Sequence, residues 1–142
     1  MQIWERSFSA FSISMSPELI AKATEARKMA LAPYSGFTVG AAMATPDGRV
    51  YTGCNIENAS YGLSICAERV ALWKALSEGA REFRAMVIVT DAEKLTTPCG
   101  ACRQLLWEYC GDILIHLHSL KGADEEYRLA DLFPVPFDSG SL

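Results

Sequence analysis

The chain has 142 residues, half of them hydrophobic and 21% charged, with a net charge of −4. That length suits one domain with a single core, and the balance of apolar to charged residues is globular rather than disordered. No stretch collects the lysines and arginines that a polynucleotide backbone demands, and no run reaches membrane-spanning length, so neither nucleic acid nor membrane is an expected partner.

Five cysteines cannot all pair within one chain. With no convincing secretory leader, a reducing, cytoplasmic location is expected. Residues 1–15 are apolar and Ser-rich but are interrupted by Glu5 and Arg6. They read as an N-terminal arm, free to be disordered, ahead of a single domain over 16–142, with a transit peptide as the minor alternative.

Ser16-Pro17-Glu18 supplies a cap, a first-turn proline and a first-turn acid. These predict an amphipathic helix running through Leu19, Ile20, Ala23, Ala26 and Ala30 until Pro33 stops it. Strand-like runs at 37–44 and 49–55 flank Thr45-Pro46-Asp47-Gly48, which reads as the turn of a β-hairpin. Apolar residues recur at helical spacing from Ala67 to Leu76, predicting a helix over 66–78 that Gly79 ends and Cys66 begins. The run MVIVT at 86–90 suits a strand buried on both faces.

Pro98 then starts a further helix with Leu105, Leu106 and Tyr109 on its apolar side and Gly111 at its end, so Cys99 and Cys102 fall in its first turn. Residues 113–120 alternate as a strand, and 126–129 add a short fifth one. The succession predicts an α/β fold, a three-layer sandwich with a central mixed five-stranded sheet.

Three cysteines at two helix N-termini suit a soft divalent ion, because the helix dipoles favour the thiolates such an ion requires. Zinc is the first candidate, and three protein ligands leave the fourth tetrahedral position open, as in catalytic sites. Glu68, two residues after Cys66, is placed to take up and hand on a proton beside that position. Three thiolates on one zinc carry excess negative charge. Arg69 is expected to offset it by donating hydrogen bonds to ligand sulfurs, with Gln104 as a further partner behind the ligands.

Other readings exist. A redox Cys-x-x-Cys pair leaves Cys66 and Glu68 unexplained. A closed structural site needs a fourth ligand from Cys54, Cys110, His116 or His118. Cys54 and Cys110 read as small buried hydrophobes, and His116 and His118 share one strand face, where a hydrogen-bonded structural role is expected.

Cys66-Ala67-Glu68-Arg69, Pro98-Cys99-Gly100-Ala101-Cys102-Arg103-Gln104 and Asn55-Ile56-Glu57-Asn58-Ala59-Ser60-Tyr61 resemble the zinc and substrate motifs of the homotetrameric cytidine deaminases. The resemblance runs through roughly residues 16–138. It implies Cys66, Cys99 and Cys102 as ligands of one zinc ion per subunit, with Glu68 as proton shuttle. The implied reaction converts cytidine and 2'-deoxycytidine to uridine and 2'-deoxyuridine with loss of ammonia, a step of pyrimidine salvage.

The resemblance also assigns Asn55 and Glu57 to the ribose hydroxyls, Phe37 to the wall against the base and Ala67 to the substrate pocket. A 5′-phosphate near Glu57 would meet no obvious basic residue, which favours nucleosides over nucleotides. Phe137, in the tail Leu132-Phe133-Pro134-Val135-Pro136-Phe137, is implied to reach the base in an adjacent subunit. Ala59 and Tyr61 are implied at sites shared between subunits of a homotetramer. A blasticidin-type aminopyrimidine nucleoside deaminase and a non-catalytic zinc-binding module are the alternatives.

Overall fold

The computed structural model describes residues 17–142, so the arm and the Ser16 cap lie outside the described residues. In chain order come α1 (Pro17–Arg27), β1 (Gly40–Ala44), β2 (Val50–Cys54), α2 (Ala67–Ser77), β3 (Ala85–Thr90), α3 (Gly100–Cys110), β4 (Leu114–Ser119), β5 (Asp124–Arg128) and the short α4 (Leu129–Leu132). The strands form one sheet in the order β2-β1-β3-β4-β5. β1 is antiparallel to both β2 and β3, β3 is parallel to β4, and β4 is antiparallel to β5. The mixed five-stranded sheet expected from the sequence is therefore present.

All of β3 is buried, as its run of apolar residues requires of a central strand. Its alternate side chains feed two cores. Met86 and Ile88 join Ala41, Met43, Ile115 and Leu117 beneath α2 and α3, whereas Val87 and Val89 meet Leu19 and Ala23 of α1 on the other face. Three layers result, with α1 on one side of the sheet and α2, α3 and Leu129 of α4 on the other.

Small residues set how closely the helices sit. A Cβ on Gly53 would stand 2.5 Å from the Ala67 carbonyl oxygen and 2.6 Å from the Ala71 nitrogen, so α2 rests on the bare backbone of β2. On the opposite face a Cβ on Gly40 would lie 2.0 Å from the Ala23 carbonyl oxygen of α1. Because β2 and β3 are both antiparallel to β1, they run parallel to each other. Helices α2 and α3, which follow them, therefore begin at the same edge of the sheet, the edge where α/β proteins place their ligands.

The structure corrects several sequence expectations. The first helix ends at Arg27 rather than continuing to Ala30. The N–H groups of Lys28, Met29 and Ala30 reach back only three residues, and Leu31 leaves to bridge Ile56 in parallel, donating to the Asn55 carbonyl at 3.0 Å. Strand β1 begins at Gly40, not at 37, because the backbone of Phe37 and Val39 bonds to the Asn55 side chain instead. Tyr109 does not enter the core. It is exposed, and its ring meets Trp73 edge to face with centroids 6.1 Å apart. The fifth strand starts at Asp124, two residues earlier than the pattern indicates.

Gly53→Ala is expected to cost about 1–3 kcal/mol by overpacking and to lower the melting temperature by several degrees. Gly62→Ala, where a new Cβ would meet open space, is expected to leave it unchanged. Thermal melts followed by circular dichroism compare the two.

Candidate functional site

Cys66 is the N-cap of α2 and Cys99 the N-cap of α3, both with extended backbone and neither with a capping hydrogen bond from its side chain. Their sulfurs are thus left for other partners. Cys102, three residues into α3, is buried. The three sulfurs lie within 4.8 Å of one another, and those of Cys66 and Cys99 are 3.8 Å apart. A tetrahedron with zinc–sulfur bonds of about 2.3 Å has edges of about 3.8 Å, so this donor set fits zinc. Among the described residues no fourth Cys, His, Asp or Glu belongs to the cluster. Cys54, Cys110, His116 and His118 are not part of it, which leaves the closed structural site without its fourth ligand.

Cys66 and Cys102 differ in acidity. Hydrogen bonding from Cys102, then from Arg69 and Cys99, outweighs burial and lowers the Cys66 thiol to about 5. The Cys102 thiol moves the opposite way, raised by its bond to Cys66 and by burial. Arg69 Nη2 donates to Cys66 Sγ at 3.8 Å, as expected of a cation offsetting thiolate charge. Glu68 is 6% exposed. Burial, with the Cys66 charge adding to it, pushes its carboxyl up to about 7. A carboxyl tuned near neutrality can both accept and donate a proton.

Above these groups opens a cavity of about 370 Å³. It is lined by Phe37, Asn55, Glu57, Tyr61, Cys66, Ala67, Glu68, Arg69 and Cys99, which brings most of the residues singled out in the sequence to one place. Asn55 Oδ1 accepts from the Val39 N–H at 2.8 Å, and its Nδ2 donates to the Phe37 carbonyl at 2.7 Å. Glu57 accepts from the N–H groups of Tyr34 and Ser35 at 2.9 and 3.1 Å and from the Ser35 hydroxyl. The Ser35 bonds foremost hold the Glu57 carboxyl below its ordinary range. The pair at 55 and 57 therefore laces down the loop that carries Phe37.

Three expected residues lie elsewhere. Ala59 is exposed and does not line the cavity, and neither does Phe137, which is 62% exposed. Gln104 makes no bond to a thiol; its Nε2 donates to the Phe137 carbonyl at 2.8 Å, tying the tail to α3. Thr96 and Thr97 are among the cavity residues that the sequence analysis does not single out, with Val39, Ser64, Ile65 and Ile88. The only signal for the two threonines is a place on the loop just before Cys99.

Arg69→Gln is expected to weaken metal retention by about 10–100-fold while leaving Glu68 in place. Competition with a chromophoric chelator measures it, and an unchanged affinity would remove the charge-offsetting role.

A family model described as the cytidine and deoxycytidylate deaminase zinc-binding region matches residues 14–116. A cytidine deaminase of Sporosarcina psychrophila is 48% identical over 126 residues, 88% of this chain and 93% of its own length. One from Halalkalibacterium halodurans is 49% identical over 125 residues, covering 87% of this chain and 95% of the relative. Among solved structures, a cytidine deaminase from Burkholderia pseudomallei superposes with a TM-score of 0.81 at 46% identity, covering 84% of this chain and 97% of that one. With the three thiols gathered at two helix starts and a buried glutamate beside them, this chain belongs to the cytidine and deoxycytidylate deaminase zinc-binding family.

Proposed function

We propose that this chain catalyses the zinc-dependent hydrolytic deamination of cytidine and 2'-deoxycytidine, giving uridine or 2'-deoxyuridine and ammonia. The observation that carries this reading is the meeting, in one cavity, of the thiol cluster and the buried Glu68 with the Asn55–Glu57 pair. Cys66, Cys99 and Cys102 would hold the zinc, whose chemistry when bound is Lewis-acid activation of a water at the open position.

The protein's own groups do the rest. Glu68 accepts a proton from the attacking water and passes it to ring N3 as C4 is attacked, then takes the proton of the new C4 hydroxyl and delivers it to the departing amino nitrogen as the C4 carbonyl forms. Burial raises its carboxyl above the ordinary carboxylate range, which favours a group that can both take up and give back a proton. Phe37 supplies an apolar wall for the base. Asn55 and Glu57, already fixed by bonds to the 34–39 loop, keep unused acceptor and donor capacity for the ribose hydroxyls. Among the described residues Arg69 is the one basic side chain lining the cavity, and its Nη2 is engaged with Cys66, which disfavours a phosphate there. A nucleoside is favoured over a nucleotide.

The finer reading is a cytoplasmic homotetramer serving pyrimidine salvage, in which Phe137, Ala59 and Tyr61 act at sites shared between subunits. The exposure of Phe137 outside its own chain's cavity, with its carbonyl held by Gln104, supports a side chain presented outward. Tyr61, at the cavity rim against Tyr34, is 74% exposed, which leaves it accessible to a neighbouring subunit and supports the same reading. The free state of all five cysteines accords with a reducing compartment. Among the described residues no helix is long and apolar enough to cross a membrane.

Loss of cytidine's ultraviolet absorbance tests the activity. Glu68→Ala should retain zinc and lose at least about 10²–10⁴-fold in rate. A zinc-loaded native protein inert toward both nucleosides would overturn the assignment. For the shared sites, mixing Glu68→Ala chains with Phe137→Ala chains should restore part of the activity that each lacks alone. No recovery in verified mixed oligomers would place each site within a single chain.

A further inference from the structure

Away from the thiol cluster, on the opposite face of the sheet, a second set of ligating groups converges. His116 and His118 lie two residues apart on β4, pointing away from the face where Ile115 and Leu117 pack beneath α2 and α3. Helix α1 packs over β1, β2 and β3 on that side. Strand β5, an edge strand, brings Asp124 directly opposite His118 and Glu126 directly opposite His116 in the antiparallel register. The two imidazoles are nearly parallel, with centroids 6.5 Å apart and planes 20° from each other.

His116 Nε2 lies 2.8 Å and His118 Nδ1 2.6 Å from the same oxygen, Asp124 Oδ1. Each nitrogen is the donor, since an ionised carboxylate can only accept. That arrangement leaves a loose end: His116 is fully buried, and its other nitrogen, Nδ1, has no hydrogen-bond partner. Facing it across the strands, Glu126 is half-buried and makes no side-chain hydrogen bond.

We propose that His116, His118 and Asp124 form a second divalent-metal site, for a cation of the Zn2+, Ni2+ or Cu2+ class, that pins edge strand β5 to β4. The three ligand atoms already lie within 4.8 Å of one another, and Asp124, itself exposed, can swing aside to admit an ion between them. Binding needs no net loss of protons from neutral imidazoles. The His116 proton moves from Nε2 to Nδ1, where Glu126 accepts it, and the His118 proton moves from Nδ1 to Nε2. The orphaned nitrogen then gains Glu126, whose carboxylate already interacts electrostatically with the His116 ring, as its acceptor, the histidine–carboxylate pairing that orients metal-bound imidazoles elsewhere. Two imidazoles with one carboxylate suit borderline transition metals, and calcium and magnesium, which prefer all-oxygen shells, poorly. The site is independent of the deaminase reading, since none of its residues lines the cavity.

The test is zinc content of the full-length protein after equilibration with excess Zn2+ and removal of free metal, measured by mass spectrometry. The wild type should hold two zinc ions per chain, and His118→Ala and Asp124→Asn one each. X-ray absorption at the zinc edge should lose nitrogen and oxygen ligands, but not sulfur, in both variants. Zinc added to protein already loaded at the thiol site should raise the melting temperature of the wild type and not of either variant. One zinc per chain in the wild type would overturn the proposal, and so would two per chain in both variants, which would put the second ion elsewhere. Either variant suffices if the other fails to fold, because the two act on different strands.

Discussion

The site depends on a close approach of helix to strand that only a missing side chain permits. With Gly53 under Ala67 and Ala71, α2 seats its first two turns directly on the backbone of β2. This contact fixes the height of Cys66 and Glu68 over the sheet. The partner ligands arrive from α3, the crossover between the parallel strands β3 and β4. Neither helix alone could gather three sulfurs. Their convergence follows from two crossovers that begin at one edge of the sheet, with alanine and glycine at the interface keeping the geometry tight.

Electrostatics then follows from burial. A carboxyl placed at the second position of a buried helix start is cut off from water, and a neighbouring thiolate makes its ionisation costlier still. Arg69, one residue further on, faces the sulfur rather than the glutamate. Three side chains within four residues, Cys66, Glu68 and Arg69, are thus placed for the three proposed roles of ligand, proton carrier and counter-charge, because positions along a helical turn point in different directions.

Much of this was legible in the sequence. The turn at Thr45-Pro46-Asp47-Gly48, the apolar run of β3, and the helix starts at Cys66 and Cys99 are local signals, written in residues adjacent in the chain. What escaped were pairings between distant segments. Nothing near Arg27 indicates that the chain will leave the helix early so that Leu31 can bridge Ile56. The Asn55 side chain takes over the backbone of Phe37 and Val39, and a strand pattern cannot show that. Gln104 looked like support for the thiols, being five residues from Cys99 and two from Cys102, but the turn of the helix aims it at the tail. Thr96 and Thr97 line the cavity from a loop tied down by distant partners, Thr97 by Arg103 and Thr96 by Thr90, which no local pattern announces.

Helix α3 grips the tail with three side chains. Arg103 donates to the carbonyls of Pro98 and Leu132 and to the Thr97 hydroxyl, Gln104 to the Phe137 carbonyl, and Trp107 Nε1 to Asp138 at 3.1 Å. Arg103 therefore spans from the loop leading into Cys99 to the end of α4, so the last ten residues are fastened to the same rod that presents two of the thiols. Such a joint gives the carboxy-terminal segment a mechanical tie to the thiol cluster. A strain applied at the tail, by a neighbouring chain or a fused sequence, would be transmitted along one helix to the ligands rather than dissipated in a free end.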